Sequence, residues 1–228
     1  MILQKIIRRI RRQDKRQLDE ACLKENFEKY NEEKTGDKIE EEYTLESFAK
    51  EDRTYWRFSQ SERGRSEEKE VFAEYIPGEI TYAEDPDKGL SFVDDKHIAR
   101  CCMYGDMLTK LNFDMRDEKF NYIKNEKVRI TGSALGEYEA RKLLVECNYP
   151  LDKVDNIKLL FSMVDNNAQF ISIFYYSQSR NLATQLRKFG YEESANLVDF
   201  LKEKYDKNNR ISPKEMMEHI EVYLNQKG

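Results

Sequence analysis

Seven cations near the start of the chain stand out by type and spacing: Lys5, Arg8, Arg9, Arg11, Arg12, Lys15 and Arg16, with Asp14 the single opposing carboxylate. A cluster of that density suits a phosphate backbone or another anionic surface. At about 100° per residue, Leu3, Ile6, Ile7 and Ile10 fall on one side of the same segment and the cations fill much of the other. The spacing predicts an amphipathic helix, its isoleucine stripe against an apolar surface and its basic face outward. Other candidates are thinner. His97 and Cys101 are four apart and share a face if helical, but a Cys–His pair needs a third group to orient it, and none is legible. Glu137-Tyr138-Glu139 pairs two carboxylates, yet it sits in a helical pattern, where positions two apart diverge. No GxxxxGKS/T, GxGxxG, HExxH or GxSxG occurs. No catalytic or metal-ligating residue is assigned on these grounds, and no cofactor is implied.

Two short segments resemble known motifs. Arg129-Ile130-Thr131-Gly132-Ser133 resembles the Gly-Ser motif of nucleotidyltransferases, which then place two carboxylates alternately on a following strand to hold a metal ion. Asp152 and Asp155 are three apart beside Pro150, a helical spacing, so the segment reads as a strand–turn–helix junction capped by Ser133. Asp206 to Met216 resembles the second half of an EF-hand loop. In that register Lys204 takes the first ligand position and Asn209 replaces the turn glycine, both against calcium. Arg53, Arg57, Arg63 and Arg65 surround the only tryptophan, Trp56, and with Phe58 and Phe174-Tyr175-Tyr176 these aromatics could stack nucleobases. Core filling is the simpler account of those rings.

The elements that position these residues come from a chain of 228 residues, 36% charged, 39% hydrophobic and 12% aromatic, with 9 Gly and 4 Pro. That composition excludes collagen-like, linker-rich and low-complexity classes and supports a packed core. The net charge of −5 conceals a split: residues 1–16 carry +6, so the remaining 212 carry −11. No run of about 18 apolar residues is present to cross a membrane, and the first twelve residues lack the apolar core of a secretory leader. Cys22, Cys101, Cys102 and Cys147 form no CxxC pair, and His97 and His219 are the two histidines, so a structural zinc site is not expected. Reduced cysteines in a cytoplasmic protein are the expectation.

Along the chain, Thr44 with Ser47 marks a helix start, Thr54 to Phe58 a strand, and Ser66 to Pro77 a helix. Glu79–Ala83 and Leu90–Val93, joined by Asp85-Pro86-Asp87-Lys88-Gly89, read as a β-hairpin; Lys119–Ile123 and Lys127–Ile130 read as a second. From Ser133 the pattern turns helical: Leu135 to Cys147, Val154–Val164, Asn181–Phe189 ended by Gly190, Glu192–Tyr205, and a last helix opened by Ser212-Pro213-Lys214-Glu215, a capping box with proline at N1. Phe170–Tyr176 fits either strand or helix. The expected fold is α+β and predominantly helical, with one or two small antiparallel β-hairpins in the central region. The expected organisation is a basic amphipathic arm (1–34), a mixed α/β region (35–132) and a helical C-terminal region (133–228). The expected function is non-enzymatic protein binding, as an adaptor or inhibitor, through Leu3, Ile6, Ile7 and Ile10. The alternative is nucleic-acid binding through the seven cations; a membrane surface is disfavoured because the apolar stripe is short and lacks Trp or Phe.

Overall fold

The structure, a computed structural model, describes residues 43–59, 73–84, 89–102, 105–132, 137–175, 181–208 and 211–227. All of them belong to one compact unit, Tyr43–Gly228. Every contact residue expected in the arm, from Leu3 and Lys5 through Arg16, lies outside the described residues.

The described strands are β1 (Tyr43–Thr44), β2 (Tyr55–Ser59), β3 (Ile80–Tyr82), β4 (Leu90–Asp94), β5 (Met107–Leu111), β6 (Lys127–Gly132), β7 (Glu137–Ala140) and β8 (Lys142–Pro150). The helices are α1 (Leu45–Ala49), α2 (Glu118–Ile123), α3 (Val154–Ser162), α4 (Asn167–Tyr175), α5 (Leu182–Lys188), α6 (Glu192–Asn208) and α7 (Pro213–Lys227), with a 3-10 turn at Ile98–Cys101. The strands form one sheet in the order β1-β6-β7-β4-β2-β5-β8-β3. Each neighbouring pair is antiparallel. The expectation of a mainly helical fold with one or two small hairpins is overturned: a large antiparallel sheet is built from residues 43 to 150.

Alternation along β2 shows how the sheet is covered on both faces. Trp56 and Phe58 join a cluster with Leu160, Phe161, Phe170, Phe174, Leu186, Val198 and Ile220 from α3 to α7. Tyr55 joins Phe48, Phe92, Phe120, Leu143 and Leu144 in a second cluster, with α1 and α2 on that side. Successive strand residues point to opposite faces, so a strand covered on both faces is apolar without a break. That explains why residues 137–150, expected to be helical, are strands. Leu143, Leu144 and Val145 are consecutive and buried, a run that periodicity cannot separate from a buried helix.

Two other corrections follow from the same physics. β3 and β4 are strands, as expected, but they do not pair with each other; β3 pairs with β8 and β4 with β7 and β2. Residues 118–123 are helical rather than half of a hairpin, because the Asp117 carboxylate accepts from the Lys119 backbone N–H at 2.8 Å and caps α2. The ambiguous Phe170 segment is α4: Phe170, Ile173 and Phe174 share a buried face while Ile171 is exposed. Residues 73–76, expected at the end of a helix from Ser66 to Pro77, are not helical, and the Ser66 and Ser133 starts lie outside the described residues. The signals around α5 and α7 hold. Gly190 adopts φ +79°, and the Tyr191 and Gly190 N–H groups reach Leu186 and Arg187 carbonyls at 2.9 and 3.0 Å, a Schellman closure of α5. Ser212 and Glu215 cap α7 reciprocally: Glu215 N–H donates to Ser212 Oγ at 3.2 Å, and Ser212 N–H to Glu215 Oε2 at 2.8 Å. No helix among the described residues is long and apolar enough to cross a membrane.

Candidate functional site

The sheet consists of two four-stranded halves held together by a short join. β2 pairs with β4 at Tyr55–Asp94 and Trp56–Val93. Beyond that point β2 runs on beside β5 to Ser59, while β4 runs beside β7 back to Leu90. The strands therefore part after Trp56 and Val93. A cavity of about 470 Å³ lies at the split, lined by Arg57 and Phe58 from β2, Ser91, Phe92 and Val93 from β4, Cys101, Thr131, Glu137 and Glu139. That volume falls in the range of small-molecule sites.

Arg57 supplies the positive wall. Its Nε donates to the Phe58 carbonyl at 3.3 Å, and Nη1 donates to the Tyr75 hydroxyl. The Tyr75 ring lies 4.4 Å from the guanidinium carbon, a cation–π distance. Among the described residues no carboxylate forms an ion pair with Arg57. Burial pulls its pKa down, with Tyr75 and Cys101 opposing that shift, but a guanidinium remains charged across the physiological range. A guanidinium on a cavity wall, held among the described residues by a phenol and a carbonyl, can take an anion through its other donors.

The negative wall comes from β7. Ser91 stands directly across from Glu139, and Val93 across from Glu137. Because β7 is a strand, Glu137 and Glu139 share a face, with Tyr138 turned away toward Phe48 and Phe92. Glu139 accepts from Arg129 Nη2 at 3.1 Å. The Glu137 carboxylate has no partner among the described residues. A register shift between Ile130 and Gly132 inserts Thr131 as an extra residue, and Thr131 lines the cavity. Such bulges re-aim side chains at the rims of sites. Gly89 sits where β4 begins; a Cβ there would lie 2.8 Å from the Glu139 Cβ and 3.2 Å from the Ala140 nitrogen. The missing side chain is what lets the Glu139 backbone come this close.

His97 and Cys101, given no role on the sequence, have different surroundings. His97 Nδ1 faces Asp94 Oδ1 at 2.5 Å, and Asp94 also accepts from Arg53 Nη1 at 2.8 Å. Cys101 instead joins the cavity wall. Trp56 is buried, with Nε1 donating to Thr54, so it is core and not a stacking platform. In the EF-hand-like stretch, Ser212 and Glu215 are spent on capping α7. Among the described residues no three His, Cys, Asp or Glu side chains come together to hold a metal. Sequence reasoning passed over Ser91 and set the Glu137/Glu139 pair aside as helical. The pair's signal was present: carboxylates two apart, diverging on a helix, converge on a strand.

No family model, curated protein or solved structure matches the chain. The functional reading rests on the cavity.

Proposed function

We propose that the Tyr43–Gly228 unit is a glycosyl-transfer enzyme whose donor is an anionic nucleotide, cleaved at its N-glycosidic bond. Arg57, Ser91, Glu137 and Glu139 line one cavity at the sheet split, and this carries the reading. The pair of charges asks for a ligand that is negative at one end and becomes positive at the other. Arg57 meets the first requirement, since its planar fork matches phosphate oxygens bidentately. Cleavage at an anomeric carbon meets the second, because its transition state has oxocarbenium character that an adjacent carboxylate stabilises.

Glu139 holds that carboxylate role, with Ser91 across the strand pair to orient it or a ribose hydroxyl. Glu137 accepts the proton of the incoming nucleophile. As the C1′–N bond breaks, its electron pair passes to the ring nitrogen, and a new bond forms from C1′ to the nucleophile. Neither histidine lines the cavity. A donor whose base is already a heteroaromatic cation fits this wall, because that base departs neutral and needs no proton. Nicotinamide dinucleotide has this chemistry and is the donor to test. Incubated with the full chain and water or an acceptor, it should release nicotinamide. Glu139→Gln should slow release by at least about 10²-fold, the scale of losing one preorganised electrostatic contact in a transition state. Equal rates in the two proteins would overturn the reading.

The arm remains a separate proposal. Its isoleucine stripe and +6 charge support a contact with a protein partner through Leu3, Ile6, Ile7 and Ile10, or alternatively with nucleic-acid phosphates through its cations. Deleting residues 1–16 should abolish the contact, and a salt-steep loss of affinity would identify phosphate. We also propose a cytoplasmic location, supported by the reduced thiols Cys102 and Cys147.

A further inference from the structure

A row of polar side chains crosses the sheet behind Arg57. Arg57 on β2 is in register with Thr109 on β5, and Thr109 with Asn148 on β8. Ser59 Oγ lies 2.7 Å from Thr109 Oγ1, which donates to Asn148 Oδ1 at 2.9 Å. Asn148 Nδ2 in turn donates to the Tyr75 carbonyl at 2.6 Å. Ser59 and Thr109 are buried. Burying hydroxyls and an amide in mid-sheet is costly unless each is bonded, and here each is. The row ends on Tyr75, whose hydroxyl and ring both engage the Arg57 guanidinium. The Tyr75 segment is pinned twice more: Thr81 Oγ1 donates to the Glu74 carbonyl at 2.7 Å, and Gly78 N–H to the Val145 carbonyl at 2.9 Å.

We propose that Tyr75 is a positioning residue, locked by Asn148, that holds the Arg57 guanidinium at the sheet split so that its remaining donors meet a phosphate of the nucleotide. The inference rests on the reading of the cavity as a nucleotide site. A phenol suits the task because it accepts one N–H without neutralising the cation, as a carboxylate would. The ring adds a face that limits rotation of the guanidinium. Preorganised donors lower the ordering cost that a ligand otherwise meets on binding.

The test uses the full chain as wild type, Tyr75→Phe, Asn148→Ala and Arg57→Lys, with two readouts. The first is the rate at which phenylglyoxal modifies Arg57 without nucleotide, followed by peptide mapping. The second is calorimetric affinity for ADP and for adenosine. Tyr75→Phe should raise the modification rate about tenfold and weaken ADP about tenfold, the scale of one hydrogen bond to a charged group. Adenosine affinity should stay unchanged and the melting temperature should fall by no more than roughly 2–6 °C, the scale of that one bond, which a general loss of structure would exceed. Asn148→Ala should move both readouts in the same direction with the Tyr75 ring intact. An unchanged Arg57 modification rate in both variants would overturn the positioning role. Arg57→Lys binding ADP as well as wild type would instead remove the nucleotide reading, while the modification rates still decide what Tyr75 does.

Discussion

Replacing Gly89 with alanine tests whether the close approach of β4 to β7 sets the reacting carboxylate. The new Cβ would sit 2.8 Å from the Glu139 Cβ, with the Ala140 nitrogen at 3.2 Å and its carbonyl oxygen at 3.3 Å. Carbon atoms rest at about 3.5 Å or more, so β7 must retreat by roughly 0.7 Å. No flexible side-chain tip is available to absorb this, because two of the three atoms are backbone and the third is a Cβ. Overpacking of this kind costs about 1–3 kcal/mol, and in a unit of this size each kcal/mol lowers the melting temperature by roughly 2–4 °C. The larger effect falls on rate. Misplacing a reacting group by an ångström costs on the order of 10²-fold, so nicotinamide release should fall by about 10- to 100-fold. ADP affinity, set by Arg57 on the other wall, should hold within about threefold, the usual context scatter of a remote contact. Steady-state kinetics, calorimetry and thermal melts read the three quantities. Wild-type turnover in a folded Gly89→Ala protein would refute the placement of Glu139 at the reacting centre.

Ser212→Ala should remove the hydroxyl half of the reciprocal cap of α7, leaving the residue 212 N–H on Glu215, at about 1 kcal/mol of stability, seen as a melting shift of roughly 2–4 °C. The same bonds hold the Glu215 carboxyl below its ordinary value of 4.5, chiefly through the Ser212 N–H and hydroxyl. A lowered folded-state pKa stabilises the protein above the ordinary value and is lost as pH falls through the lowered one. The gap between wild type and Ser212→Ala should therefore be full at pH 6 and shrink below about pH 4, read from melts across pH. Tyr191→Phe should cost about 2 kcal/mol by denaturant unfolding, because the Tyr191 hydroxyl bonds the buried Asp106 carboxylate at 2.7 Å. Cys102, its thiol pushed up to about 12 by burial with Cys101 adding to the shift, should resist iodoacetamide at pH 8 in the native protein. It should react once the chain is denatured, as mass spectrometry would show.

What the chain revealed before folding was its punctuation. The Ser212 capping box, the Gly190 stop and the Thr44 start depend on neighbours within a few residues, and each appears where its chemistry placed it. The sheet was less legible because it is covered on both faces, so Leu143-Leu144-Val145 lacks the alternation that marks a half-exposed strand. The candidate site was hidden by that same misreading. Glu137 and Glu139 look idle on a helix and convergent on a strand, so the element type decides the chemistry. Ser91 carries no local signal, since it stands across from Glu139 only through the pairing of β4 with β7; Arg57 stands out in the sequence only as one of the arginines around Trp56.

The most direct measurement is a crystal structure of the Glu139→Gln chain soaked with nicotinamide dinucleotide, the substitution serving to keep the donor uncleaved. A phosphate within hydrogen-bond distance of Arg57, with the anomeric carbon of the nicotinamide ribose beside residue 139 and Ser91, is the expected result. An empty cavity at saturating ligand, or a dinucleotide bound with its phosphates away from Arg57, would contradict the account.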